Sequence, residues 1–156
     1  MRCRITFAVM LPVMFLSGCK ATPPGKTETA VAVALKHHFT VGDKKLKNPL
    51  SSDSSTLADG KEAFDHYCIA CHGNDGQNTG VPFAEHLSPP VPSLASSQVQ
   101  AYTDGQLKWI INNGLWPSGM PDAKGILSDD EQWSIVYYLR HLPPAGSQGT
   151  PEIYDH

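Results

Sequence analysis

Two cysteines three positions apart, followed at once by a histidine, constrain this chain more than any other feature: Cys68-Ile69-Ala70-Cys71-His72. Residues three apart on a helix share a face. Both thiols therefore point the same way, and the imidazole follows on the next position. This spacing is a covalent haem-attachment signature. The thiols reach two vinyl groups on one edge of a porphyrin, and His72 is directed at the iron. A zinc ribbon needs a second cysteine pair, which the sequence lacks. A dithiol redox pair needs a strand–helix context, and none is legible.

The remaining cysteines agree with export. Arg2 and Arg4 precede an apolar run from Ile5 to Leu16, broken only by Thr6 and Pro12. The run falls short of the roughly 20 apolar residues of a membrane span and reads as a secretory signal. It ends in Leu16-Ser17-Gly18-Cys19, which resembles the lipobox of bacterial lipoproteins. That resemblance implies a signal peptide over 1–18 and a lipidated Cys19 as the new N-terminus; a plain signal peptide with an incidental cysteine is the alternative. Cys3 then leaves with the signal, and only Cys68 and Cys71 remain. A small exported domain without a disulfide needs another staple, and a covalent haem supplies one.

Residues 19–55 read as a lipidated tether or arm. They carry Pro23-Pro24-Gly25, a lysine cluster at 44–47, a serine-rich run at 51–55 and one aromatic residue, Phe39. Such a segment buries little apolar surface, although Ala30 to Leu35 is apolar enough to pack as an arm. From residue 56 to 144 three helices and long loops are expected, with a tail over 145–156. Each helix has a start signal of the S/T-x-x-(acid or Gln) type. Thr56-Leu57-Ala58-Asp59 opens the first, which runs to about Cys71. Thr103-Asp104-Gly105-Gln106 opens the second, which Gly114 stops. Ser128-Asp129-Asp130-Glu131 opens the third, which ends before Pro143-Pro144. The stretches 73–102 and 114–127 are rich in Pro and Gly and read as loops. No strand pattern or repeat is present.

The second axial ligand of the iron follows by elimination. Met1, Met10 and Met14 go with the signal, and Met120 is then the only methionine. It lies in Gly119-Met120-Pro121, in the loop between the second and third helices. Methionine is a common haem ligand. The rivals are His86, in the long proline-rich loop, then His66 on the face of the first helix turned to solvent, His141 at the end of the last, and His37 and His38 in the tether.

These residues together make the segment from about 56 to 143 similar to the class I cytochrome c family, in particular to single-haem bacterial members of its mono- and dihaem group. Gly60 and Phe64 in the first helix, with Tyr138-Leu139 in the last, resemble that family's helix-crossing contact. Asn113-Gly114 and Gly119-Met120-Pro121 resemble its approach to the axial methionine. The resemblance implies an all-α class I cytochrome c fold around one covalently attached haem c, with His72 and Met120 on the iron. It also implies that a proline carbonyl of the Pro89-Pro90-Val91-Pro92 segment accepts a hydrogen bond from His72, fixing its tautomer; Pro89 and Pro90 both fit. Trp109, Trp116 and Trp133 are expected to pack around the haem or in the core. Arg140 reads as a solvated helix end or a propionate partner.

The expected function is electron transfer on the periplasmic side of a bacterial envelope. Two protein ligands fill both axial sites of the iron, so no substrate binds, and the protein is a carrier rather than an enzyme. The alternatives are a cytochrome subunit of an exported dehydrogenase complex, or a haem sensor or catalyst with an open iron site. Residues 57–156 hold twelve acids against Lys61, Lys108, Lys124 and Arg140, so a nucleic-acid partner is excluded. An acidic haem domain suits a redox partner with a basic docking face. The lipid holds the protein to a membrane, and Lys20 rather than Asp after Cys19 points to the outer one.

Overall fold

The computed structural model describes residues 41–87, 90–116 and 118–147, together with Thr27 and Val31. The expected signal peptide, Cys19, most of the possible arm at 30–35, His37, His38 and Pro89 lie outside the described residues, as does the tail from residue 148. Helices α1 (Ser54–Tyr67) and α2 (Ile69–His72) carry the cysteine motif. A 3₁₀ turn (Pro82–His86) and the short α3 (Ser97–Gln100) follow. The longer α4 (Asp104–Asn113) and α5 (Asp129–Leu139) complete an all-α architecture. Among the described residues the only extended pairings are the isolated bridges Leu115–Met120 and Lys124–Leu127, and no helix is long and apolar enough to cross a membrane.

Two of the three expected capping boxes form as the sequence implies. Thr103 accepts from Gln106 N while the Gln106 side chain accepts from Thr103 N. Ser128 and Glu131 do the same for α5. The first helix differs. It begins at Ser54, two positions before the boundary expected at 56, because Asp53 is the cap. Its carboxylate accepts from Thr56 N at 2.9 Å and from the Ser55 hydroxyl at 2.8 Å. Thr56 is buried inside the first turn instead. The loops also hold more regular structure than expected. Ser96 caps α3, and Pro82 fixes the dihedral that starts the 3₁₀ turn.

The core lies where α1 crosses α5 and α4 packs beside it. Phe64, Ile135 and Val136 are at its centre, with Leu107, Ile110, Ile111, Trp133 and Leu139 around them. Gly60 makes the crossing possible. A Cβ there would stand 2.0 Å from the Ser134 carbonyl oxygen and 3.0 Å from Tyr138 Cβ. One turn on, the Phe64 and Tyr138 rings pack with centroids 5.3 Å apart. The family-like contact expected at Gly60, Phe64 and Tyr138 is present.

Residues 41–50, expected to belong to the tether, lie against the helices as a strap. Val41 is in the core, 5% exposed. The Thr103 hydroxyl donates to Lys44 O at 3.0 Å, and Asn48 Nδ2 donates to Trp133 O at 2.9 Å. Gly105, in the first turn of α4, gives the strap room: a Cβ there would stand 2.0 Å from Asp43 O and 2.8 Å from Leu46 O. Gly42 in turn sits on the Trp109 indole.

Candidate haem-iron site

The motif sits on a hinge between two helices. Cys68 closes α1 by donating its N–H to Phe64 O at 2.8 Å, and its own carbonyl accepts from Cys71 N at 3.2 Å and His72 N at 3.0 Å. The two thiols are thus one tight turn apart, with His72 next. Gly73, at φ 70°, ends α2 in a conformation that suits glycine. The chain then doubles back, with Asn78 N on His72 O at 2.8 Å and Leu94 N on Gly76 O at 2.7 Å. Asp75 braces this turn by accepting from Gln77 N and the Thr79 hydroxyl.

Burial sets the protonation of both Cys68 and His72. The Cys68 thiol is pushed up to about 12, chiefly by burial and then by Cys71 beside it. The His72 imidazole is pulled down to about 4 by burial, so it is neutral at physiological pH, the form that binds metal. Three buried polar atoms in this region have no hydrogen-bond partner among the described residues: His72 Nδ1, Gln77 Nε2 and Ser93 Oγ. Native proteins seldom leave such atoms unmet without a ligand or water to meet them. Two free thiols, a neutral buried imidazole and unmet polar atoms fit the group that the motif implies.

Met120 is held by the end of α4. Gly114 stops that helix at φ 67°, and a Cβ there would stand 2.5 Å from Met120 O. Leu115 N donates to Met120 O at 3.1 Å, and Ala123 N returns to Ile111 O at 3.0 Å. Ser118 closes the turn through Leu115 O. The Met120 side chain is half-buried against the same core cluster that Cys68 and Ile69 pack on. The rival histidines within the described residues are exposed. His66 and His141 are bound through Nδ1 to Glu62 O and Tyr137 O, and His86 ends the 3₁₀ turn. Pro90 is exposed and makes no hydrogen bond to His72 Nδ1.

Two expectations need correction. Arg140 is neither a free helix end nor available to a propionate. All five of its donors are engaged: Nε and Nη2 on Asp104, Nη1 on Gln100 O and Oε1, and Nη2 also on Tyr102 O at 2.6 Å. Trp116 is 95% exposed and so is not core, whereas Trp133 is buried. Sequence reasoning missed the strap and the buried Gln77 and Ser93. The glycine at the second position of α4 was the available sign of a close-packed neighbour.

An all-α fold of this kind, with paired thiols and a histidine on one helical turn and a methionine on a glycine-stopped loop, is that of a c-type cytochrome. Residues 55–139 match the family model described as cytochrome C oxidase, cbb3-type, subunit III, and the chain belongs to that family. It is 34% identical over 71 residues to cytochrome c-554(548) of Halomonas halodenitrificans, covering 46% of this chain and 80% of that protein. Among solved structures it overlays on the Kuenenia stuttgartiensis reducing HAO-like protein complex Kustc0457/Kustc0458 with a TM-score of 0.52 at 23% identity. That overlay covers 64% of this chain and about half, 48%, of the other, and supports the fold alone. Membership of this family implies covalently bound haem c and a role in electron transfer.

Proposed function

We propose that this chain is a single-haem electron carrier in which Cys68 and Cys71 hold the haem through thioether bonds and His72 and Met120 are its axial ligands. The observation that supports this reading best is that Met120, its backbone clamped on Gly114, packs on the same core cluster as Cys68 of the attachment motif. When bound, the haem supplies one-electron chemistry between ferric and ferrous iron. The chain's part is to bury it, fix its ligands and limit access of water. His72 Nδ1 is left to donate to a backbone carbonyl, which the family resemblance assigns to Pro89 or Pro90. The soft thioether of Met120 favours the ferrous state and raises the potential relative to a second histidine.

The proposal extends to location. A lipid on Cys19 holds the protein to the membrane, with the haem domain on the periplasmic side. Its partners are redox proteins with a basic docking face, suited to the acidic haem domain. Service as a relay subunit of an exported dehydrogenase complex is a second reading; the family model, named for an oxidase subunit, favours a place in a redox complex but not a dehydrogenase in particular. Two measurements test the central reading. Haem should stay with the denatured chain on a gel and add one haem to its mass. The ferric protein should show the far-red sulfur-to-iron band of thioether-ligated haem. Loss of the haem into acid-acetone would remove the covalent attachment, and absence of the far-red band would remove Met120 and bring His86 forward.

A further inference from the structure

The strap carries most of the unneutralised positive charge of the described chain. Among the described residues, Lys61, Lys108 and Arg140 are paired with Asp65, Asp129 and Asp104. Of the four remaining cations, three are Lys44, Lys45 and Lys47, and all three are exposed. They flank Leu46, which is itself 49% exposed. The backbone beneath them is fixed. Asp43 and Leu46 close a turn through a 2.9 Å hydrogen bond, Lys44 O is held by Thr103, and Gly105 lets the turn lie on α4. A rigid turn with an apolar tip, carrying three lysines against Asp43, is thus set on a domain that is otherwise acidic.

We propose that this strap is a docking surface for an anionic phospholipid bilayer, and that it orients the haem domain on the membrane. Charge complementarity supplies the attraction, and the exposed Leu46 supplies an apolar contact at the headgroup level. Val41, the first residue of the strap, is buried in the core. With Cys19 lipidated, the strap is the part of the domain that follows most closely on the anchor; to that extent the inference rests on the lipoprotein reading. The acids Asp59, Glu62, Asp130 and Glu131 line a groove between α1 and α5 that Leu50, at the far end of the strap, borders; a like-charged bilayer repels them, so the turn at 43–47 and not the Leu50 end makes the contact. The strap lies on the N-terminal turn of α4, whereas the Met120 loop leaves its C-terminal end. That helix has 10 residues, a separation of about 15 Å. Docking by the strap therefore leaves the Met120 end open to a redox partner.

The test uses the full-length holoprotein with vesicles of phosphatidylcholine alone or with phosphatidylglycerol added. Sedimentation with the neutral vesicles reads the anchor, and the gain on adding phosphatidylglycerol reads the strap. The expected result is slower amide exchange over residues 43–48 in the anionic vesicles only, abolished by high salt. The Lys44→Glu/Lys45→Glu/Lys47→Glu variant, checked for an unchanged haem spectrum, should lose the gain, by roughly fivefold for each lysine. Equal strap exchange in both lipids overturns the proposal. So does a variant that keeps its preference for anionic lipid, or one that loses only its electron-transfer rate with an acidic protein partner. A failed anchor shows instead as no binding to neutral vesicles while the anionic gain persists.

Discussion

At the scale of single residues, the ligand loop gives the sharpest test. Met120→Ala should abolish the far-red band and let carbon monoxide bind the reduced protein. Met120→His should restore a six-coordinate, low-spin spectrum at a lower potential, because imidazole favours ferric iron more than thioether does. A redox titration and a carbon monoxide spectrum read both outcomes. The helix caps give a test in acid. The Asp53 carboxyl is held below its ordinary value by the Thr56 N–H and the Ser55 hydroxyl, and that of Glu131 by Ser128. Both stabilise the fold above the ordinary carboxyl range, and the contribution is lost as pH falls through their lowered values. Asp53→Asn keeps a side chain that caps but removes the charge, so its thermal stability should depend less on pH in that range. Much of the candidate site was legible because its chemistry is local: two thiols and an imidazole within five residues, and one methionine beyond the apolar N-terminal run. The engagement of Arg140 was not legible. Its partners Gln100, Tyr102 and Asp104 are dozens of residues away and are brought to it only by the packing of α4 on α5.

Among the elements, the crossing of α1 and α5 and the stop of α4 each rest on one glycine. An exposed glycine in a helix becomes more stable by up to about 1 kcal/mol when changed to alanine. At Gly60 the sign reverses, because the new methyl would meet the backbone of Ser134 and not a side chain that can swing away. Gly60→Ala should cost about 1–3 kcal/mol and lower the melting temperature of the holoprotein in a calorimetric scan. Gly114→Ala meets two penalties, a positive φ and the Met120 carbonyl. Its expected effect is different: the far-red band weakens while the helical circular dichroism stays, because the loop shifts and the α1–α5 pair does not. The second and third helices were readable from their caps, since Thr103 and Ser128 face no competing cap nearby. The first was misplaced because Asp53, three residues before Thr56, caps the helix a turn earlier by accepting from Thr56 N itself. Helix α3 escaped notice because four residues are too few to show a period.

For the molecule as a whole, the strap and Arg140 bind the ends of the domain to its middle. Arg140→Met keeps the aliphatic length but leaves Gln100 O and Tyr102 O without their donor and Asp104 without its cation. It should cost about 2 kcal/mol, more than an exposed ion pair, in a denaturant titration that leaves the haem spectrum intact. Cys19→Ala should move the protein from the membrane to the soluble fraction without changing its spectrum; if it stays membrane-bound, the anchor is elsewhere. The strap was unreadable as structure because its attachments are scattered single contacts, Val41 in the core, Lys44 O on Thr103 and Asn48 on Trp133 O, which show no period in the sequence. Its position has a consequence for the order in which the protein is made. Asn48 finds its partner at Trp133, 85 residues later, and Gly60 likewise waits for Ser134. In N- to C-terminal order, at synthesis or at export, the strap appears well before the helix that closes over it. Cys68 and Cys71 emerge early in that interval, before α5 exists to complete the core that Cys68 packs on. The segment that carries the two thiols therefore stays unclasped until the last helix docks, and any delay in that docking holds the clasp open longer.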